Sequence, residues 1–443
     1  MPSKAGLPFD RISNWCSDLI NIGRADAKKE LHWSSKPNHT RILMRRIRAM
    51  TQLTSLVVGC YPTDSSRYFM DSRPLWDAAW SHSRRLQNLT LHLPLECFRN
   101  VLATIPRFRV LESLSLSIWN GCSDPLVCTS TLAKLAKFIN RHSASLTHLT
   151  IDIPTSDVDP SPLFYNVEQL PRLIGASIKQ PLQDFESDDI GIFLSKHRIN
   201  LQELSLEFYE SAQTNQRPTP GSFFSNSIFQ VGFPSITSLD LGLCYWNKGS
   251  ESLLAHNLAH YLSKFGNTLS RLTIRGCILS LPIVDAFVST LEESANLREL
   301  KMDVHCLSAD LLDVLAHKLP RLRSLDLTYS WFRYKDDGCW DPDLRVFTEG
   351  GFFAHYVFGE CQQLGQEFLT RIGGHDYSPW SLGRLQVTPR EMLAGYGGDI
   401  RKMLSACLRS VHTVNGIPRR VFDNSQRSPS TPLYFLPVEN PAR

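Results

Sequence analysis

A six-residue phrase, L-x-x-L-x-L, recurs along most of the chain and constrains its fold more than any other feature. It opens at Leu53, Leu86, Leu111, Leu146, Leu173, Leu201, Ile236, Leu269, Leu297 and Leu322, at steps of 25 to 35 residues. Alternating apolar pairs at its end, such as Leu89 and Leu91 or Leu239 and Leu241, have the period of a strand buried on one face. The unit opening at Leu173 departs most, with Ala176 and Ile178 in its second and third places. Between phrases the period lengthens. Thr131 to Ile139, Glu251 to Phe265, Ile283 to Glu293 and Ala309 to Lys318 read as helices, with Gly266-Asn267 and Pro320 as stops. Each unit is therefore a short strand, a loop, a helix and a return. One unit cannot bury its apolar edge alone, so stacked units should align a parallel sheet backed by a row of helices, an α/β architecture.

The pattern resembles the leucine-rich repeat. Leu269, Leu272, Ile274, Cys277 and Leu279 meet its longer consensus, and Ile236, Leu239, Leu241 and Cys244 meet the first part. The long, uneven units are similar to the irregular repeats of ribonuclease-inhibitor-like and F-box proteins. The resemblance covers about residues 53–332. It implies a curved solenoid, with strands on the concave side and helices on the convex side.

Four segments are expected. Residues 1–50 precede the array and read as helical, including Asp18 to Arg24 and the basic stretch Arg41 to Arg48. The array spans 51–344. Residues 345–423 read as irregular repeats and a cap: Leu382-Gly383-Arg384-Leu385-Gln386-Val387 is a further strand phrase, and Pro389 to Val411 a helix pair broken by glycines. Residues 424–443 are rich in Pro and Ser, the composition of a disordered tail.

Composition excludes several classes. Basic residues number 47 and acidic 43, and the first fifty residues hold ten of the former against four of the latter. The mild basicity is local and gives no nucleic-acid signature. The eleven cysteines lack regular spacing, which fits a reducing compartment, cytoplasmic or nuclear, better than a disulfide framework. No apolar run approaches the ~20 residues needed to span a bilayer.

Enzyme signals are weak. His256 and His260 lie one turn apart on an expected helix, but Asn257 stands where H-E-x-x-H has its glutamate. Gly373-Gly374-His375-Asp376 offers a His-Asp pair without a nameable nucleophile. We expect no catalytic residues, no cofactor and no resident metal.

The residues between the leucines point the other way, toward water. They are small and uncharged early on and charged, mainly acidic, later. Glu203, Glu207, Asp240, Arg271, Arg275, Glu299, Lys301, Asp303 and Asp326 form the candidate partner-binding face, which would suit a protein partner with a basic or mixed-charge surface. Cross-strand pairing of Arg271, Arg275 and Lys301 with flanking acids is the simpler alternative. Trp246, Tyr329 and Trp331 lie near strand ends, where aromatic anchors are favoured at interfaces, although such residues also pack beneath neighbouring loops.

At the N-terminus, Leu7-Pro8-x-Asp10-x-Ile12 is similar to the opening of an F-box, and Asp18-Leu19-Ile20-Asn21-Ile22 to its second half, with a shorter gap between them. Such repeats joined to a degenerate or truncated F-box resemble fungal-type F-box proteins. That resemblance implies an adaptor holding a substrate on the repeats and the cullin-linking subunit of a ubiquitin ligase through Leu7, Pro8, Ile12, Leu19 and Ile22. A repeat scaffold without a ligase link, and more distantly a hydrolase, are the other readings.

Overall fold

A computed structural model describes residues 53–59, 80, 85–119, 124–181, 188–209, 219–243, 251–292, 294, 296–330, 368, 370–372, 374–375, 377–388, 404–405, 408 and 410–418, and the backbone alone at 19–24, 27–32, 182, 210, 331–332 and 389. The chain divides into two compact units, Met1–Leu269 and Ser270–Arg443.

In the first unit the described strands are β1 (Leu19–Arg24), β2 (Ala27–His32), β3 (Ser55–Gly59), β4 (Asn88–Pro94), β5 (Ser113–Trp119), β6 (His148–Asp152), β7 (Gly175–Leu182), β8 (Glu203–Glu210) and β9 (Ser238–Gly242). From β3 to β9 they lie side by side in sequence order and all pair in parallel. Helices α1 (Leu95–Thr104), α2 (Pro125–Asn140), α3 (Ser161–Asn166), α4 (Asp188–His197), α5 (Pro220–Ser225), α6 (Ser227–Gln230) and α7 (Glu251–Ser263) alternate with them. The second unit has β10 (Arg271–Leu279), β11 (Glu299–Leu307), β12 (Ser324–Phe332), β13 (Arg384–Pro389), β14 (Thr413–Val414) and β15 (Ile417–Pro418), with helices α8 (Leu281–Leu291) and α9 (Ala309–Lys318). Its strands are parallel from β10 to β14.

The leucines explain the layering. On β4, Leu89, Leu91 and Leu93 are buried while Asn88, Thr90 and His92 stay open. On β11, Leu300, Met302 and Val304 are buried while Glu299 and Lys301 are exposed. The helices bury an apolar set of their own, such as Leu132, Leu135 and Phe138 of α2, or Leu311, Leu312 and Leu315 of α9. The helices start where the sequence supplies caps. Asp124 accepts from Leu126 N ahead of Pro125, and Ser308 accepts from Leu311 N, each satisfying an amide that the first turn would leave orphaned.

One backbone rung repeats through both units. The carbonyl of the phrase's second residue receives two N–H groups from the next phrase. Thr54 O accepts from Gln87 and Asn88, Glu112 O from Thr147 and His148, and Gln202 O from Thr237 and Ser238, at 2.8 to 3.0 Å for the leading amides and their followers. In the second unit Arg298 O accepts from Arg323 and Ser324, Arg323 O from Gly383 and Arg384, and Gly383 O from His412 and Thr413. Leu382 is thus a further phrase, as its sequence suggests, and β13 pairs in parallel with β12. Val411-His412-Thr413-Val414 is another, beginning at the residue where the expected helix pair of Pro389 to Val411 ends. Only Leu404 and Ser405 are helical among the described residues of 389–411. Val411 and Val414 are buried as the leading apolar residues of a strand phrase.

The start of the chain also differs from expectation. Asp18 to Arg24 reads as helix, but Leu19–Arg24 is a strand, antiparallel to both β2 and β3. Ile20 and Ile22 alternate with Asn21 and Gly23, a period of two with β-branched residues that suit a pleated ribbon. The free edge of β3 supplies backbone partners that an isolated helix would not need. Leu7, Pro8, Ile12 and the basic stretch Arg41 to Arg48 lie outside the described residues, as do the tail at 424–443 and most of 333–376.

Two histidines repeat a device at two seams of the first unit, those of β5 and β7. His142, just past α2, accepts a hydrogen bond at Nε2 from Phe108 N (3.1 Å), and its Nδ1 lies 2.8 Å from Phe138 O. His197, at the end of α4, accepts from Leu170 N (3.0 Å), with Nδ1 2.7 Å from Phe193 O. Because Nε2 accepts in both, the proton belongs on Nδ1 and is donated to the carbonyl one turn back. Each ring ties a helix end to the loop that enters the preceding strand. Burial, the largest influence, pushes both imidazoles below the ordinary histidine range.

Candidate binding surface

The open side chains of the first unit stand in rows fixed by strand register. One row runs Asn88, Ser113, His148, Gly175, Glu203 and Ser238, another Thr90, Ser115, Thr150, Ser177, Ser205 and Asp240, a third His92, Ser117, Asp152, Lys179, Glu207 and Gly242. The expected residues Glu203, Glu207 and Asp240 therefore share one face. They are half-exposed and engaged with neighbours. Lys179 Nζ sits 2.9 Å from Glu207. Ser205 donates to Asp240 at 3.3 Å. His148 reaches across β7 to within 4.0 Å of Glu203, which requires a glycine beneath it: a Cβ on Gly175 would lie 2.5 Å from the His148 ring.

Tyr209 is the residue the sequence reading missed here. It continues the open set of β8 beyond Glu203, Ser205 and Glu207, and its hydroxyl donates to Asp152 at 2.6 Å. Ser117 donates to the other oxygen of Asp152 at 3.2 Å. Burial, followed by the hydrogen bond to Asp152, pushes the Tyr209 phenol far up, so it stays a donor at every physiological pH. The period-two step from Glu207 was the available signal.

In the second unit the face carries Arg271, Glu299, Ser324 and Arg384 in one row and Thr273, Lys301, Asp326 and Gln386 in the next. Lys301 pairs with Asp326 at 2.9 Å. Arg384 donates to Ser324 at 2.7 Å and lies 3.9 Å from Glu299. Arg384 belongs to the Leu382 phrase and was not among the expected site residues. Its presence changes the balance: the acid excess belongs to the first unit, while here four basic residues face three acids, Glu299, Asp303 and Asp326. Arg275 is displaced. The register slips between Ile274 and Leu279, where Gly276 takes a φ of 86°, so Arg275 sits in a bulge and not opposite Asp303. Cross-strand pairing thus accounts for Lys301.

The expected aromatic anchors divide differently. Tyr329 is fully buried on β12 and belongs to the core; it shares the inward parity of Leu325 and Leu327, which overrides its position near the strand end. Trp331 lies on β12 opposite Cys306, its side chain outside the described residues. Trp246 lies outside them altogether. Leu19 and Ile22 are on β1, in a strand and not on a helix that could present them as an F-box would.

The histidines flagged for chemistry separate as well. His256 and His260 are exposed on α7, and among the described residues no three His, Cys, Asp or Glu converge as a metal site would require. His375 Nδ1 lies 2.8 Å from Asp313 of α9, and Tyr377 donates to the same oxygen at 2.5 Å. That arrangement fastens the segment before β13 onto α9. No helix among the described residues is long and apolar enough to cross a membrane. No protein-family model and no curated protein matches the sequence.

Proposed function

We propose that the chain is a leucine-rich-repeat-like, non-enzymatic module that binds a protein partner on the open face of its sheet. The observation that carries this reading is the alternation of inward and outward residues along the strands. The inward set is apolar and buried, and the outward set gathers the charges in ordered rows. An acidic strip built on Asp152, Glu203, Glu207 and Asp240 suits a basic segment of a partner, and the balanced rows around Lys301 suit a mixed-charge one. The test is affinity capture with the full chain followed by charge reversal at Arg271, Arg275 and Lys301, and separately at Glu203, Glu207 and Asp240. A captured partner should bind the folded variants at least about tenfold more weakly, one decade for ~1.4 kcal/mol. Unchanged binding by both sets would refute the open-face assignment.

The adaptor version of this reading, a ubiquitin-ligase substrate receptor, rests on the resemblance of Leu7 to Ile12 and Asp18 to Ile22. The strand at Leu19–Arg24 weighs against it and favours a scaffold without a ligase link. Co-purification of the cullin-linking subunit, lost on deleting residues 1–35, would support the adaptor. A chain that captures its partner but never that subunit is the scaffold.

A further inference from the structure

Away from the sheet face, the first unit has an open pocket of about 510 Å3 beside the seam between α2 and the loop entering β5. Arg107, Phe108, Arg109, Arg141, His142, Ala144 and Ser145 line it. The volume falls within the range of small-molecule sites. Three of the lining side chains are guanidinium groups, and all three residues are exposed. Among the described residues none of the three arginines is engaged in an ion pair or side-chain hydrogen bond. Arg107 and Arg141 line the same pocket as the buried His142 ring although they are 34 residues apart in sequence.

Like charges held around one cavity without a counter-charge repel one another, and a bound anion removes that cost. Guanidinium forks match the oxygen geometry of phosphate and bond it in pairs. The floor is rigid, because His142 is fixed at both ring nitrogens to Phe108 N and Phe138 O. The imidazole is neutral, so it neither adds to the attraction nor opposes it. The nearby end of α2 presents carbonyls, which disfavour anions, so the arginines must supply the binding.

We infer that this pocket binds a multiply charged phosphoryl group, held by Arg107, Arg109 and Arg141. Its source is either a free small phosphorylated compound or a phosphorylated side chain, and one experiment separates them.

Calorimetric titration of the full-length protein with inorganic pyrophosphate should show one site that weakens as salt rises. Arg107→Gln and Arg141→Gln should each weaken it about tenfold, the usual loss for one charge-assisted hydrogen bond. The Arg107→Gln/Arg141→Gln variant should abolish it at an unchanged thermal midpoint, since neither side chain carries a structural contact. Arg198→Gln, an arginine outside the pocket, should leave it intact. A phosphoserine peptide that displaces pyrophosphate would identify a protein source, and one that does not would identify a free small molecule. Absence of pyrophosphate binding at millimolar concentration, or equal binding by the double variant, would overturn the inference.

Discussion

At the scale of single residues, His142 and His197 make the sharpest claims. Each satisfies a buried loop amide that no other group reaches. Replacing either by alanine strands that N–H, and we expect a loss of about 1–3 kcal/mol in urea unfolding at neutral pH. The same rings set a pH dependence. Burial depresses the folded-state pKa of both, so folded and unfolded chains are equally neutral well above about pH 6.5 and the full stability is present there. As pH falls below that value the unfolded chain takes up protons that the folded rings refuse, and stability declines until the folded pKa is passed. Thermal midpoints at pH 7.5 and 5.5 should therefore differ, and the difference should shrink in the double alanine variant. Lys301 and Asp326 make a weaker claim. Their 2.9 Å pair stands on an open face, so a double-mutant cycle should return only about 0.2–1 kcal/mol.

At the scale of elements, the test case is β13. Leu385 is fully buried and Gln386 beside it is exposed. Leu385→Ala should cost about 2–5 kcal/mol through lost burial and a cavity, whereas Gln386→Ala should stay within about 0.5 kcal/mol. Chemical denaturation distinguishes the two. This element also shows what can be read from sequence and what cannot. Strands announced by leucines at fixed offsets were legible, as were helices with a clear 3.6 period such as α9, predicted at its observed bounds. The phrase at Val411 was not, because valine and threonine replace leucine and the preceding glycines drew attention to a helix break. β1 was misread because Leu19 to Arg24 is too short for periodicity to separate strand from helix, and the edge of β3 decides. On the face, the parity of Glu203, Lys301 and Asp326 was readable, but the Arg275 bulge and the inward turn of Tyr329 depend on register that only neighbouring strands define. The pocket arginines escaped notice because Arg107 and Arg141 meet only when α2 is folded back against its strand.

At the scale of the molecule, each unit carries an antiparallel hairpin at one sheet edge. In the first unit β2, with Lys28 and Lys29, lies outermost. In the second, β14 turns through Asn415 (φ 49°) and Gly416 (φ 75°) into β15, the backbone sign of a tight primed turn. Asn415 holds that turn in place, accepting from Val387 N at 2.7 Å and donating to Val387 O at 2.9 Å. β15 is two residues long and ends on Pro418, which has no N–H to offer. Short strands, lysines and prolines are how sheet edges avoid pairing with other chains. A variant lacking residues 411–418 should expose the β13 edge and form concentration-dependent oligomers in size-exclusion chromatography, while the intact protein should not. The rungs that join successive phrases have a different consequence. Their common part is made of peptide groups, to which the Thr147 and Thr237 hydroxyls add a donor at Glu112 O and Gln202 O, and threonine, glutamine, glutamate, isoleucine, serine, arginine and glycine all occupy the accepting place. The joint does not read its own side chain. Apart from those two threonines, that edge of the protein can therefore be recoded, in charge and in chemistry, one position at a time, without disturbing the strand alignment beneath it.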